Sequence, residues 1–199
     1  MLPYYYKLFH KVANNILCDI IFLGTRDIVE GEIILKIVVY RVASILLLCV
    51  WLGVIFGLSA ETAAESSGTS GGFIRVLAKT FISNFDKMSI TEQGEIIEAF
   101  QGTIRTAAHL ITYIVLGFLA ANTLVTFKLT AVIRWISPIM FGTLYAVSDE
   151  IHQHFVPGRA FQISDIVVDI IGVVLGVLAF WLIVYIAHKI FKGEKHQNG

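Results

Sequence analysis

Four apolar runs along the chain are long enough, or nearly so, to cross a bilayer as helices. A hydrocarbon core of ~30 Å takes ~20 such residues. Residues 42–59 carry no charge, residues 107–127 hold His109 as the one group that titrates near neutrality, and residues 166–187 hold one charge, Asp169. Residues 131–147 are fewer, with Arg134 near one end and Pro138 inside. We read them as spanning too, since an arginine snorkels to the interface and neighbouring helices re-satisfy a backbone broken by proline. Between the first two runs the pattern changes. Residues 61–72 are small and polar, which predicts a flexible loop. Phe73, Leu77, Phe81 and Phe85 then recur at helical spacing with Arg75, Lys79 and Lys87 among them, as in a helix lying in the headgroup layer. Ser89 and Glu92 fit a capping box, from which Ile97, Phe100 and Ile104 lead into the second span. Residues 16–23 are apolar but too short to cross, and Asp19 interrupts them, so an interfacial helix is expected there. No internal repeat is visible.

The fold class expected is therefore all-α: an integral membrane four-helix bundle with an N-terminal interfacial helical segment and an amphipathic outer segment between spans one and two. Residues 1–40 form the cytoplasmic or interfacial lead-in, residues 41–188 the transmembrane domain, and residues 189–199 a basic cytoplasmic tail.

Composition agrees. Of 199 residues 56% are hydrophobic and 15% charged, with a mean hydropathy of +0.77, against about 25% charged in soluble domains. The 15 basic and 15 acidic residues cancel, which removes the bulk positive charge that nucleic-acid binding needs. Two cysteines, Cys18 and Cys49, make no disulfide framework. No early apolar stretch with a small-residue cleavage site follows the first residues, so no signal peptide is expected.

Charge sets the orientation. With the N-terminus cytoplasmic, the inner side receives ten cations: Lys7, Lys11, Arg26, Lys36, Arg41, Lys128, Arg134, Lys189, Lys192 and Lys195. The outer side receives five, Arg75, Lys79, Lys87, Arg105 and Arg159. Four spans then put both termini inside, in a multi-pass protein of the cell membrane.

That topology gathers the polar residues. Asp149, Glu150, His152, Gln153, His154 and Arg159 fall in what reads as the outer loop between spans three and four. Asp165 and Asp169 lie four apart at the outer end of span four, Arg105 and His109 four apart at the outer start of span two, and Glu61 and Glu65 just past span one. Ionisable groups at membrane depth cost about 2.5–3.5 kcal/mol each on insertion scales and so face the bundle interior and pair. Two readings are open: paired charges that only hold four helices in register, or a polar pocket that binds a ligand or performs chemistry. Arg105, His109, Asp149, Glu150, His152, Gln153, Arg159, Asp165 and Asp169 are the candidate ligand-binding residues. Asp169 has Arg159, Arg105 and His109 as its natural partners.

Smaller signals each have a plainer explanation. His152 and His154 form an HxH pair that suits zinc, but no further histidine or cysteine stands at a recognised spacing, so neither a metal nor another cofactor is expected. Trp51, Trp135 and Trp181 read as belt anchors or packing. Gly172 and Gly176 form a GxxxG pair, which permits close packing within the monomer or a homodimer.

The run Ser148-Asp149-Glu150-Ile151-His152-Gln153-His154-Phe155-Val156-Pro157-Gly158-Arg159, followed by Asp165 and Gly172, resembles the signature of the VanZ-like membrane protein family. Two stretches add to it: Trp51 through Phe56 to Ser59, similar to that family's first span, and Arg105 through His109 to Tyr113, similar to the start of its second. The resemblance covers roughly residues 41–185. It departs at Asp169, where the family usually has asparagine, and at Leu58-Ser59-Ala60-Glu61, where a serine pair and a glutamine are common. The family takes its name from a teicoplanin-resistance protein. The resemblance thus implies low-level resistance to teicoplanin-type lipoglycopeptides and a link to the cell envelope, and it implies no particular reaction.

Three functions follow. In the first, which is not enzymatic, the outer pocket recognises an anionic or lipid-linked envelope component or a glycopeptide, gripped by Arg105 and Arg159. In the second the protein is a membrane enzyme acting on a lipid-linked or phosphorylated substrate. Glu150 or Asp149 is then the base, His152 or His109 the acid, and Arg159 the charge stabiliser, with Glu150 and His152 the catalytic pair. In the third the bundle is structural and binds a membrane partner through its interfacial helix.

Overall fold

The computed structural model describes residues 30–197, with side chains described for residues 35–189. Among the described residues there are five α-helices, one short 3-10 turn and no strand. They are α1 (Glu30–Ser59), α2 (Ala63–Phe81), the 3-10 turn Phe85–Lys87, α3 (Ile90–Leu124), α4 (Ala131–His154) and α5 (Ile163–Gln197). Four of them, all but α2, contain windows long and apolar enough to cross a membrane. The expected interfacial helix at residues 16–23 lies outside the described residues.

Helix ends follow the local chemistry. Thr62 and Glu65 cap α2, and Ser89 and Glu92 cap α3, each as a reciprocal capping box. Thr130 caps α4 by accepting from the Ile133 N–H. The boxes satisfy backbone donors that the first turn leaves unpaired.

Three expectations about element boundaries are corrected. The expected flexible loop at residues 61–72 is mostly helix, because the Thr62–Glu65 box nucleates α2 directly after α1. The second amphipathic piece and span two are one continuous helix, ending at Leu124. Residues 149–154 do not form a loop: α4 runs on through them to His154, and the true connection is residues 155–162.

The bundle is built around α3 and α5. A Cβ on Gly172 would come within 2.7 Å of the Leu110 carbonyl oxygen, and one on Gly176 would meet the Ile114 carbonyl oxygen. Gly117 abuts the Val173 backbone in the same way. Small residues here let two backbones approach, which strengthens packing in a solvent as apolar as the side chains. The GxxxG face is thus covered by α3 of the same chain. Of the two readings of Gly172 and Gly176, this contact is the close packing within the monomer.

Tyr113, Leu116, Ala146, Val173 and Val177 fill the centre, with Ile55 of α1 against them. Hydrogen bonds fix the outer helices: the Trp51 indole donates to the Thr112 carbonyl at 3.1 Å, and the Tyr145 hydroxyl to that of Leu52 at 2.8 Å. At the opposite end of the bundle Arg41 donates to the Thr126 carbonyl at 2.6 Å and Arg134 to that of Leu129 at 2.8 Å. Leu46, Val50, Leu144 and Leu182 are exposed, as lipid-facing positions should be. All three tryptophans pack against the core, Trp135 and Trp181 stacked at 5.1 Å.

Candidate functional site

Polar residues from the C-terminal ends of α1 and α4, the middle of α3 and the start of α5 meet at one end of the bundle. The segment that closes this end is short and tightly specified. The Pro157 carbonyl accepts from the Ala63 N–H at 3.3 Å, tying it to the start of α2. Gly158 has φ +78°, and a Cβ there would press on Ala63 at 3.0 Å, so glycine is needed for both backbone and space. The Arg159 N–H then bonds the Val156 carbonyl, and this turn delivers the Arg159 side chain into the site.

A cleft of about 490 Å³ opens there between α1, α2, α3 and α4. Five of the expected residues line it: Arg105, His109, Asp149, Gln153 and Arg159. Ser59, Glu61 and Tyr113 join them, as do Ser66, Thr69 and Ser70 from α2. Ile55, Leu58, Phe73, Ile104 and Ile111 make its walls apolar.

Four expected residues stand behind the lining. Asp169, 1% exposed, bonds Nδ1 of His109 at 3.2 Å and so orients that imidazole. Asp165 lies 3.7 Å from the Arg105 guanidinium. Glu150, also 1% exposed, accepts from the Gln162 N–H at 2.5 Å, just ahead of α5. His152 bonds Ser59 at 3.2 Å and stacks on Phe56 at 4.7 Å. These last two contacts dock α4 on its neighbours. The structure therefore does not bring Glu150 and His152 together as an acid–base pair on the cleft. His154 is exposed and packs edge-on against Phe155, so the HxH pair does not converge. Among the described residues no three His, Cys, Asp or Glu side chains gather as a metal-holding set.

Electrostatically the site is not closed on itself. Gln153 donates to Asp149 at 3.0 Å, yet its own carbonyl oxygen is buried without a partner. The second oxygens of Glu150 and Asp169, the Tyr113 hydroxyl and Nε of Arg159 are buried and unbonded as well. Orphaned polar atoms of this number are uncommon inside proteins. Burial, and next the charge of Arg105, press the Arg159 guanidinium below its usual value. A guanidinium stays charged regardless, so two arginines that feel one another's charge, and would share an anion well, belong to one cleft.

The lining residues of α2 were missed in the sequence because that stretch reads as a loop. The signal that finds them is the Thr-x-x-Glu box at Thr62, followed by Ser66, Thr69, Ser70 and Phe73 on one helical face.

A polytopic helical membrane protein with a polar, arginine-bearing cleft at one end of its bundle is the class these features define. A family model described as VanZ/LLP1 matches residues 44–185. The chain belongs to that family. No curated protein and no solved structure matches it.

Proposed function

We propose that this VanZ-family protein sits in the cell membrane with both termini cytoplasmic, and that its outward cleft binds an anionic group of an envelope component or glycopeptide. Arg105 and Arg159 grip the phosphate or carboxylate, and binding underlies low-level tolerance of teicoplanin-type lipoglycopeptides. One observation carries this reading: Arg105 and His109, four apart on α3, and Arg159, far along the chain from them, line a single apolar-walled cleft. An apolar wall with a few convergent polar groups is the usual composition of a small-molecule site.

The test is Arg159→Ala, expressed in a teicoplanin-susceptible host. Tolerance should be lost while the protein reaches the membrane in normal amount, and Arg159→Lys should recover part of it. Full tolerance in Arg159→Ala contradicts the reading.

The His109–Asp169 pair favours a second reading, an enzyme acting on a phosphate-bearing lipid. A carboxylate on one ring nitrogen fixes the tautomer and leaves the other nitrogen to take a proton. In that case His109 is the general base in place of Glu150. Turnover would then fall by about 10²–10⁴ in His109→Ala, whereas a pure binding protein shows no turnover to lose.

A further inference from the structure

A second cavity adjoins the cleft. It holds about 240 Å³ and lies between the C-terminal half of α2 and the N-terminal half of α3. Its lining is entirely apolar, with Leu77, Ala78 and Phe81 on one side and Ile96 and Phe100 on the other. Ile104 lines both cavities. Along α2 the cleft ends at Phe73 and the groove begins at Ile74, so the two are consecutive parts of one trough.

The length of α3 places this groove. Its 35 residues make a rod of about 52 Å, against a hydrocarbon core of ~30 Å. The portion beyond the core is its N-terminal end, where Glu92 and Glu95 precede the first groove residue, Ile96, and Glu98 lies between Ile96 and Phe100. From Ile96 to Ile104 the groove runs about 12 Å along the helix. An apolar channel of that length, at the margin of the bilayer and leading into a site with two arginines, has the polarity sequence of an anionic amphiphile.

Resting on the binding reading above, we propose that the occupant is a lipid with a phosphate or carboxylate headgroup in the cleft and the near part of one hydrocarbon chain in the α2–α3 groove. The groove selects for a chain attached to the headgroup, so a lipid is held in preference to a water-soluble anion. It also raises that part of the chain out of the bilayer and sets the headgroup against His109.

The test uses hexadecyl phosphate with a diazirine on the carbons nearest the headgroup, added to the full-length protein in phosphatidylcholine vesicles. Photolabelling should concentrate on residues 74–104. Excess unlabelled hexadecyl phosphate should remove it, and equimolar inorganic phosphate should not. Ala78→Trp, which fills the groove, should cut labelling there at least tenfold.

Labelling spread over the lipid-facing surfaces of α1 and α4, or unchanged by Ala78→Trp, overturns the groove proposal. The wild-type pattern decides even if that variant fails to fold. The two proposals fail separately. Arg159-dependent binding of the probe without groove labelling leaves the cleft reading standing alone. Groove labelling indifferent to Arg159→Ala sinks the headgroup reading instead.

Discussion

Asp149, Glu150, His152 and Gln153 share the last turns of one helix yet do different work. Asp149 and Gln153, four apart, line the cleft, while Glu150 holds the Gln162 backbone and His152 faces Ser59 and Phe56. The sequence shows all four as one motif, and only helical phase separates lining from support. Glu150→Gln should keep near-normal stability, because an amide oxygen can still accept from Gln162. Glu150→Ala should cost about 1–3 kcal/mol by leaving a buried N–H unpaired, measured as thermal unfolding in detergent. Equal loss in both variants would show that the charge, and not the acceptor, matters. Asp169→Asn makes the complementary test. Asparagine keeps an oxygen for His109 Nδ1, so ligand affinity should be unchanged if the cleft only binds. A loss confined to turnover would favour the enzymatic reading.

The elements themselves were largely legible from hydrophobic length. All four apolar runs are helices, and the Ser89 capping box marks the start of α3. What pattern alone hid was continuity. Residues 90–106 are polar enough to read as a separate piece, but no glycine pair or proline breaks them from the span that follows. Residues 149–154 read as loop because they are polar, and in a membrane protein polarity marks a shared site as readily as exposure to water.

The GxxxG pair was legible as a packing motif, but its partner helix was not. Only the structure shows α3 backbone against it. Gly176→Leu should therefore destabilise the monomer by about 3 kcal/mol or more through overpacking, read by thermal unfolding in detergent. Gly53→Ala, with nothing near its Cβ position, should be close to neutral. If Gly176→Leu altered only oligomeric state, the intramolecular interface would be wrong.

On the scale of the molecule, two ends of one bundle differ in kind. At one end Arg41 and Arg134 close on backbone carbonyls beside the short α3–α4 link. At the other, carboxylates, an imidazole and two arginines surround a cleft with unsatisfied atoms. Both ends keep buried polar atoms without a partner, Nε of Arg41 and of Arg134 at the first, but it is the second that sets side chains of both charges around a cleft able to take a ligand. Both the binding reading and the groove proposal require that second end to face outward. Single cysteines at the exposed positions His154 and Lys189, in a chain with Cys18 and Cys49 replaced by serine, report on this directly. A membrane-impermeant maleimide added to intact cells should label His154→Cys and leave Lys189→Cys untouched until the membrane is permeabilised. Labelling of Lys189→Cys alone would turn the cleft toward the cytoplasm and contradict the account.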